Sequence, residues 1–354
     1  MPLSLSQVFN PQPDWYRGDF HCHTHHSDGV LSPAELLALA RSEGLDFLTI
    51  TDHNNAGAYE HFADDFLVIP GLEVTYKRGH YNVLGVDVLA GADWLQQVGR
   101  GYVDRPAATD TFPTMNDLLR ATAAHGALNS INHPLLAPWA WEFPDTDLRQ
   151  VHCLEIWNDP SWPGNQRDNP RAISLWTQWL NAGYRLTAIG GSDFHRPAPP
   201  PGEQKPAERL GQPSTYVYAA ALSGQAILEA VRRRRAYVSM GPQAAFEARA
   251  NGRTYAIGAD LGEWTGEIEL DARVWACPEP ARAILVKNGL PLAEAPVVGG
   301  GAELQATVQP VAGEPAWYRF EVLTPEGQML AVTNPIYVGP VRTPTLHRFG
   351  DFAA

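Results

Sequence analysis

The sequence predicts an α/β protein whose amino-terminal part alternates strand and helix and whose remainder is all β. Three observations carry this. Apolar runs of strand length alternate with helix-period segments from residue 15 to about 240. After about Gly241 the chain turns to short β-type runs separated by Gly, Pro and Asn, at the spacing of a β-sandwich. Histidines and carboxylates collect at the ends of the predicted strands, where α/β folds build their sites. The expected division is 1–240 for the α/β part and 241–354 for a sandwich-like domain.

In chain order, DWYRGDFHCH (14–23) reads as a strand. SPAELLALARSEG (32–44) reads as a helix with Ser32 as N-cap, Pro33 at its first position and Gly44 as stop. LDFLTITDH (45–53) is a buried strand, followed by FLVIPGLEVTY (66–76) and YNVLGVDVL (81–89). TMNDLLRATAAHG (114–126) is a helix, and ALNSINHP (127–134) and VHCLEIWN (151–158) are strands. NPRAISLWTQWLNAG (169–183) is a helix before the strand YRLTAIGGSDFH (184–195). PSTYVYA (213–219), the helix SGQAILEAVRRRR (223–235) and AYVSMGP (236–242) close the series, which implies a largely parallel sheet or barrel. RPAPPPGEQKP (196–206) must be a loop, because proline serves neither strand nor helix interiors. The irregular stretch 93–113 has the length of a lid or binding loop. The strands expected beyond 241 are AAFEARA, EIELDARVWA, RAILVKNG, ELQATVQP, AWYRFEVLT and QMLAVTNPIYV.

Composition narrows the function. With 44% hydrophobic and 18% charged residues the chain reads as an ordinary globular protein. A net charge of −13 argues against a constitutive polyanion binder, so no stable nucleic-acid partner is expected. The arginine run 232–235 closes a helix, where cations suit the negative end of the dipole. Cys22, Cys153 and Cys277 are odd in number and far apart, which is neither a disulfide framework nor a metal motif. With no signal-type N-terminus and no spanning-length apolar run, the expected location is cytoplasmic, without a membrane partner.

The chemistry collects first in DFHCHTHHSDG (19–29), which holds four histidines and two aspartates. On a strand's period of two, Asp19, His21 and His23 share a face, and Cys22 points to the other as a small hydrophobe. Asp28 follows in the loop, and TITDHN (49–54) ends its strand with His53. Glu73, the pair His80 and Asn82, His133, and the pair Asp193 and His195 stand in PGLEVT, GHYNVLG, SINHP and GGSDFH. Converging without a cation, these groups would accumulate charge and desolvation costs, so the pattern reads as a metal site. His25, His26, His61, His125, His152 and His347 lack such a pattern, although His25 or His26 could line the mouth of the site.

HCHTHHSDG, ITDHN, GLEVT, INHP and GGSDFH, in that order between residues 15 and about 200, resemble the PHP (polymerase and histidinol phosphatase) metallohydrolases. EVTYKRGHYNVLG, EIWNDPSWPGNQ and NAGYRLTAIGGSDFH are similar to the carbaryl-hydrolase-related branch of that superfamily. The resemblance implies a distorted seven-stranded β/α barrel with two or three divalent ions. His21, His23, Glu73 and Asp193 would bind the first, with Glu73 bridging to a second that His133 also holds. Asp28, His53 and His195 would hold a third. Many relatives carry histidine where this chain has Asn82, and His80, two residues earlier on the same face, is the expected substitute.

Imidazole and carboxylate without thiolate suit Zn²⁺, Mn²⁺ or Fe²⁺. Two such ions lower the pKa of a bridging water and stabilise an in-line displacement at phosphorus. Asp193, His195, His25 and His26 are the candidate catalytic residues, the three histidines as acids toward the leaving oxygen. Asp19 and Asp52 read as groups that orient ligands. Lys77, Arg78, Arg100, Arg105 and Arg167 are candidate phosphate contacts, the last three in predicted loops. Trp139, Trp141, Trp157 and Trp162 are candidates for an apolar wall. The expected function is a phosphoesterase acting on a small phosphorylated molecule. An amide, carbamate or carboxylic ester hydrolase on the same centre, or a non-catalytic metal-binding module, are the alternatives.

Overall fold

The computed structural model describes residues 4–60, 65–85, 114–199, 202 and 206–352. Arg100, Arg105, His61, the irregular stretch up to residue 113 and the end of the strand expected at 81–89 lie outside them.

The first part contains β1 (Asp14–Asp19), α1 (Pro33–Ser42), β2 (Phe47–Leu48), β3 (Leu67–Val68), β4 (Gly71–Tyr76), β5 (Gly79–Leu84), α2 (Met115–Ala124) and β6 (Leu128–Ile131). It continues with β7 (Cys153–Asn158), α3 (Asn165–Ala182), β8 (Thr187–Gly191), β9 (Ser214–Ala219), α4 (Gly224–Arg232) and β10 (Ala236–Ser239). The helices begin as their caps dictate. Ser32 accepts from the amide of Glu35, whose carboxylate accepts from the Ser32 amide, with Pro33 next in line. Thr114 and Asp117 form the same reciprocal pair at α2. α3 starts at Asn165, four residues before the expected start, so Pro170 lies inside it. The missing Pro170 amide leaves the Gln166 carbonyl free of its helical partner, and Gln328 Nε2 donates to that carbonyl at 3.3 Å. The added turn is tied to β7, since Asn165 and Asn169 both hydrogen-bond Asn158.

The strands form a mixed arrangement rather than the expected largely parallel one. β4–β5–β6–β7–β8 is one sheet, antiparallel through β6 and parallel from β6 to β8. β3–β2–β1 is parallel, and β9 and β10 extend it antiparallel. Among the described residues, continuous pairing does not close a seven-stranded barrel. Two isolated parallel bridges, Cys22 to Phe194 and His53 to Glu73, join the two sheets instead. Both bridges fall on or beside candidate ligands. Sequence alternation did not reveal the β4–β5 hairpin because all twelve residues of these strands are buried, which erases the in–out pattern.

Beyond residue 240 the described elements are almost all strands. Gln243–Ala250, Arg253–Ala256, Ile268–Trp275 and Ala302–Val308 form a four-stranded antiparallel sheet. Arg282–Lys287, Leu290–Pro296, Ala316–Leu323 and Met329–Thr333 continue the β1 sheet through β10. Phe246, Leu270 and Ala272 of the first layer share one core with Leu285, Phe320 and Val322 of the second. A carboxy-terminal β domain therefore fits the structure, although the sheet itself runs on across residue 240. Asn334 fastens this half to β8, pairing with both backbone groups of Ala188 at 2.8 and 2.9 Å.

Candidate metal centre

His21 and His23 lie just beyond β1, and Asp193 and His195 just beyond β8. The two ends are zipped together: the Asp193 amide donates to the His21 carbonyl at 2.8 Å, and the His23 amide to the Phe194 carbonyl at 2.9 Å. Asp19 locks this junction from below. Its Oδ1 accepts from the amides of His21 (3.0 Å) and Ser192 (3.1 Å), and its Oδ2 from Gly211 (2.8 Å). Asp52 shapes the loop toward Asp28 by accepting from Thr24 N, Thr24 Oγ1 and Ser27 Oγ at 2.6–2.7 Å. Cys22, Cys153 and Cys277 are free thiols, all buried.

Glu73 is the hub. Its Oε1 lies 3.3 Å from His21 Nε2, 3.1 Å from His80 Nδ1 and 3.5 Å from His133 Nε2. Its Oε2 lies 2.8 Å from His53 Nδ1 and 3.7 Å from His23 Nε2. Asp193 Oδ1 stands 3.1 Å from His21 Nε2 and 3.0 Å from His23 Nε2. Asp28 Oδ1 stands 3.5 Å from His53 Nε2 and 3.3 Å from His195 Nε2. Three sets have ligand atoms all within 4.8 Å of one another: His21, His23, Glu73; His53, Glu73, His80; and His23, Asp28, His53, His195. Asn82 turns away, donating to the Phe20 carbonyl at 3.1 Å and accepting from Asn132 at 2.8 Å.

Two residues of the cluster also hold strained backbone. His133 and Asp193 both adopt positive φ, +26° and +50°, which non-glycine residues hold only where surroundings over-determine them. Glu155 does this for His133, accepting its amide at 2.8 Å, while its other oxygen accepts from His21 Nδ1 at 2.9 Å. Sequence reasoning passed over Glu155, although a lone carboxylate inside the apolar run CLEIWN was a usable signal. It also passed over Asn132, whose amide donates to Glu73 Oε1 at 2.8 Å.

Charge inside the cluster is divided sharply. Burial works to raise Glu73 and Asp193, but the surrounding imidazoles outweigh it and hold both carboxyls well below their ordinary range. Burial, helped by His195 and His53, presses His23 down to about 3, which keeps its imidazole neutral. Against the same burial, Glu73 and Asp28 push His53 up to about 10, and Asp28 and Asp193 push His195 up to about 9.

The residues fit divalent ions. His80 Nε2 is buried with no hydrogen-bond partner among the described residues, an arrangement that costs free energy unless something else binds there. The donor set is imidazole and carboxylate with no thiolate, as hard and borderline divalent ions prefer.

A cavity of about 270 Å³ opens on the cluster, lined by His53, His80, His133, Asp193 and His195 on one side and by Trp139 and Trp162 on another. The two indoles meet edge-on with centroids 5.4 Å apart. Arg196, Asp159 and Glu208 also line it, with Asp28, Asn158 and Asn165. Several expected residues are elsewhere. Arg167 belongs to α3 rather than a loop and is bound to Asp168 with its side chain largely exposed. Arg78 lies over the Phe143 ring, its guanidinium on the Glu142 carbonyl. Trp157 and Trp141 are core residues, 3% and 4% exposed. His25 and His26 pack against each other in the loop after β1 and do not line the cavity.

Residues 19–112 match the family model of the PHP domain. The chain is 31% identical over 111 residues to a 5'-3' exoribonuclease of Haemophilus influenzae, covering 30% of this chain and 34% of that one. It is 38% identical over 74 residues to an uncharacterized protein of Methanocaldococcus jannaschii, covering 17% and 34%. The chain thus spans about a third of the length of these curated relatives. Among solved structures it is similar to a two-domain protein of Bacteroides vulgatus containing a predicted PHP-like metal-dependent phosphoesterase. That likeness has 19% identity and a TM-score of 0.44 over 93% of this chain and 98% of that one. It is also similar to a protein of Bifidobacterium adolescentis described as a putative metal-dependent phosphoesterase, at 16% identity and a TM-score of 0.37 over 55% and 91%. No helix among the described residues is long and apolar enough to cross a membrane.

Proposed function

We propose that this protein is a metal-dependent phosphoesterase acting on a small phosphorylated molecule. The observation that carries the reading is the Glu73 hub, where one buried carboxylate faces the imidazoles of His21, His23, His53, His80 and His133 beside a cavity. The PHP-domain match over residues 19–112 supports it. In this reading His21, His23, Glu73 and Asp193 hold one ion, Glu73, His80 and His133 a second, and Asp28, His53 and His195 a third. The Cys22–Phe194 and His53–Glu73 bridges, which join the two sheets beside the cluster, support reading them together as the distorted barrel that the resemblance implies. Zn²⁺, Mn²⁺ or Fe²⁺ bound there would polarise a phosphoryl oxygen and supply a water acidic enough to attack near neutral pH. The chain's own residues do the rest. Glu155 fixes the ring of His21, Asn158 bridges Glu155 and Asp193, and Arg196 offers a guanidinium to the phosphate.

The Trp139–Trp162 wall also favours a second reading, hydrolysis of an aryl or acyl ester or carbamate, which the carbaryl-hydrolase-related resemblance brings in. One experiment separates the two. Metal-stripped protein reloaded with Mn²⁺ or Zn²⁺ is assayed on p-nitrophenyl phosphate, bis-p-nitrophenyl phosphate, a 5'-nucleotide and p-nitrophenyl acetate, with His21→Ala as control. Metal-restored turnover of a phosphate, absent in the control, is the expected result. Turnover of the acetate alone replaces the reading with the second. No turnover of any of them leaves a non-catalytic metal-binding module. In the same assay Trp139→Ala should raise KM for p-nitrophenyl phosphate about tenfold, the scale of one lost aromatic contact, and alter an alkyl phosphate much less. An equal rise for both would remove Trp139 from substrate binding.

A further inference from the structure

We propose that Asp159 is the general acid of this site, giving its proton to the leaving oxygen of the substrate. The proposal rests on the phosphoesterase reading above and assigns a role that none of the sequence motifs pointed to. Asp159 is the first residue after β7 and lines the cavity together with Asp193, His195 and His133. It follows Asn158, whose amide reaches Asp193 Oδ2 at 3.3 Å, so its position is tied to the cluster through one residue. Its backbone is fixed as well, the carbonyl accepting from Trp162 N at 3.1 Å and Asn165 Nδ2 at 3.0 Å.

The carboxyl itself is set in one orientation. Oδ1 accepts from Ser161 N at 3.0 Å and Ser161 Oγ at 2.5 Å, and Oδ2 has no hydrogen-bond partner among the described residues. The residue is 7% exposed, and no arginine or lysine pairs with it among the described residues. Burial, then the charges of Asp193 and Glu208, push its pKa up to about 6, against the pull of the Ser161 bonds. The charged groups around it are Asp193, His195 and Arg196 beyond β8, Glu208 in the following segment and His133 beyond β6, with Arg209 beside it in a smaller neighbouring pocket that Asp159 and Ser161 also line. An acid that lines the cavity and keeps its proton toward neutral pH is what leaving-group departure requires. The other acids on offer are otherwise engaged. His195 is held between Asp28 and the Asp193 carbonyl, and His25 and His26 do not reach the cavity.

The oxygen of the attacking water forms the new bond to phosphorus. The bond from phosphorus to the leaving oxygen breaks with its electron pair on that oxygen, which takes the Asp159 proton. The Asp159 carboxylate then regains a proton from solvent, solvent having taken the one the water lost. The sum is phosphate ester plus water giving alcohol plus inorganic phosphate.

The test compares leaving groups on the metal-loaded full chain. Asp159→Asn should lower kcat for an alkyl phosphate about 10²- to 10⁴-fold, the usual worth of a positioned acid. Its loss on p-nitrophenyl phosphate should be at least about tenfold smaller, because nitrophenolate departs without a proton. Ser161→Ala removes one of the bonds that stabilise the carboxylate, so the descending limb of kcat against pH for the alkyl ester should move to higher pH. Equal losses on both esters in Asp159→Asn, or a limb unmoved in Ser161→Ala, would overturn the assignment. If Asp159→Asn does not fold, the Ser161→Ala profile decides alone. Wild-type protein with no metal-dependent turnover of either phosphate would instead bring down the phosphoesterase reading, and this inference with it.

Discussion

Glu73→Gln is expected to lower metal-dependent hydrolysis at least about a thousandfold, which corresponds to roughly 4 kcal/mol of lost transition-state stabilisation. Glutamine keeps the volume of the side chain and a carbonyl oxygen that can accept the Asn132 amide. It loses the charge that five imidazoles share. Because Glu73 belongs to two of the three ligand sets, the metal-to-protein ratio should fall along with the rate. The rate is read as kcat/KM on the best phosphate ester, and the ratio by elemental analysis of dialysed protein. Activity within tenfold of wild type at unchanged metal content would mean that Glu73 is a structural acid and that the centre lies elsewhere.

Asp19→Ala should cost about 3–5 kcal/mol of stability. The carboxylate is fully buried and accepts from three backbone amides, those of His21, Ser192 and Gly211. Each buried donor left unsatisfied costs about 1–3 kcal/mol, and the three share one cavity, so the sum falls short of simple addition. Denaturant unfolding of the two proteins measures the difference. The same change frees the β1 and β8 ends that carry His21 and Asp193, so weaker metal retention should accompany it. A loss below about 1 kcal/mol would show that water replaces the carboxylate and that the junction does not depend on it.

Much of the site was legible because its signals are local. The spacing of His21 and His23, and of Asp193 and His195, places each pair on one side of an extended segment whatever the rest of the chain does. His80 rather than Asn82 faces Glu73, and the reason is visible only in three dimensions: Asn82 is occupied by Phe20 and Asn132. Placement around the cavity was less legible. Arg78, Arg167, Trp141 and Trp157 do not line it, because whether such a side chain meets solvent, core or cavity is decided by packing partners far away in sequence. Arg196 lay inside a proline-rich stretch that reads as a loop, and Asp159 in a segment whose tryptophans drew the attention.

The sequence by itself determined the elements whose signals lie within a few residues. The capped helix α1, the candidate ligands at strand ends, the acidic balance and the all-β character beyond residue 241 are of this kind. Only the tertiary structure decided what depends on contacts between distant segments. It turned β4 and β5 into an antiparallel hairpin, joined the sheets through two single bridges, ran one sheet across residue 240, and set Glu155 behind His21. The physical reason is the same in each case. Caps and side-chain period are fixed by short-range sterics and hydrogen bonds, whereas pairing direction and the placement of a buried charge depend on which distant strand supplies the partner.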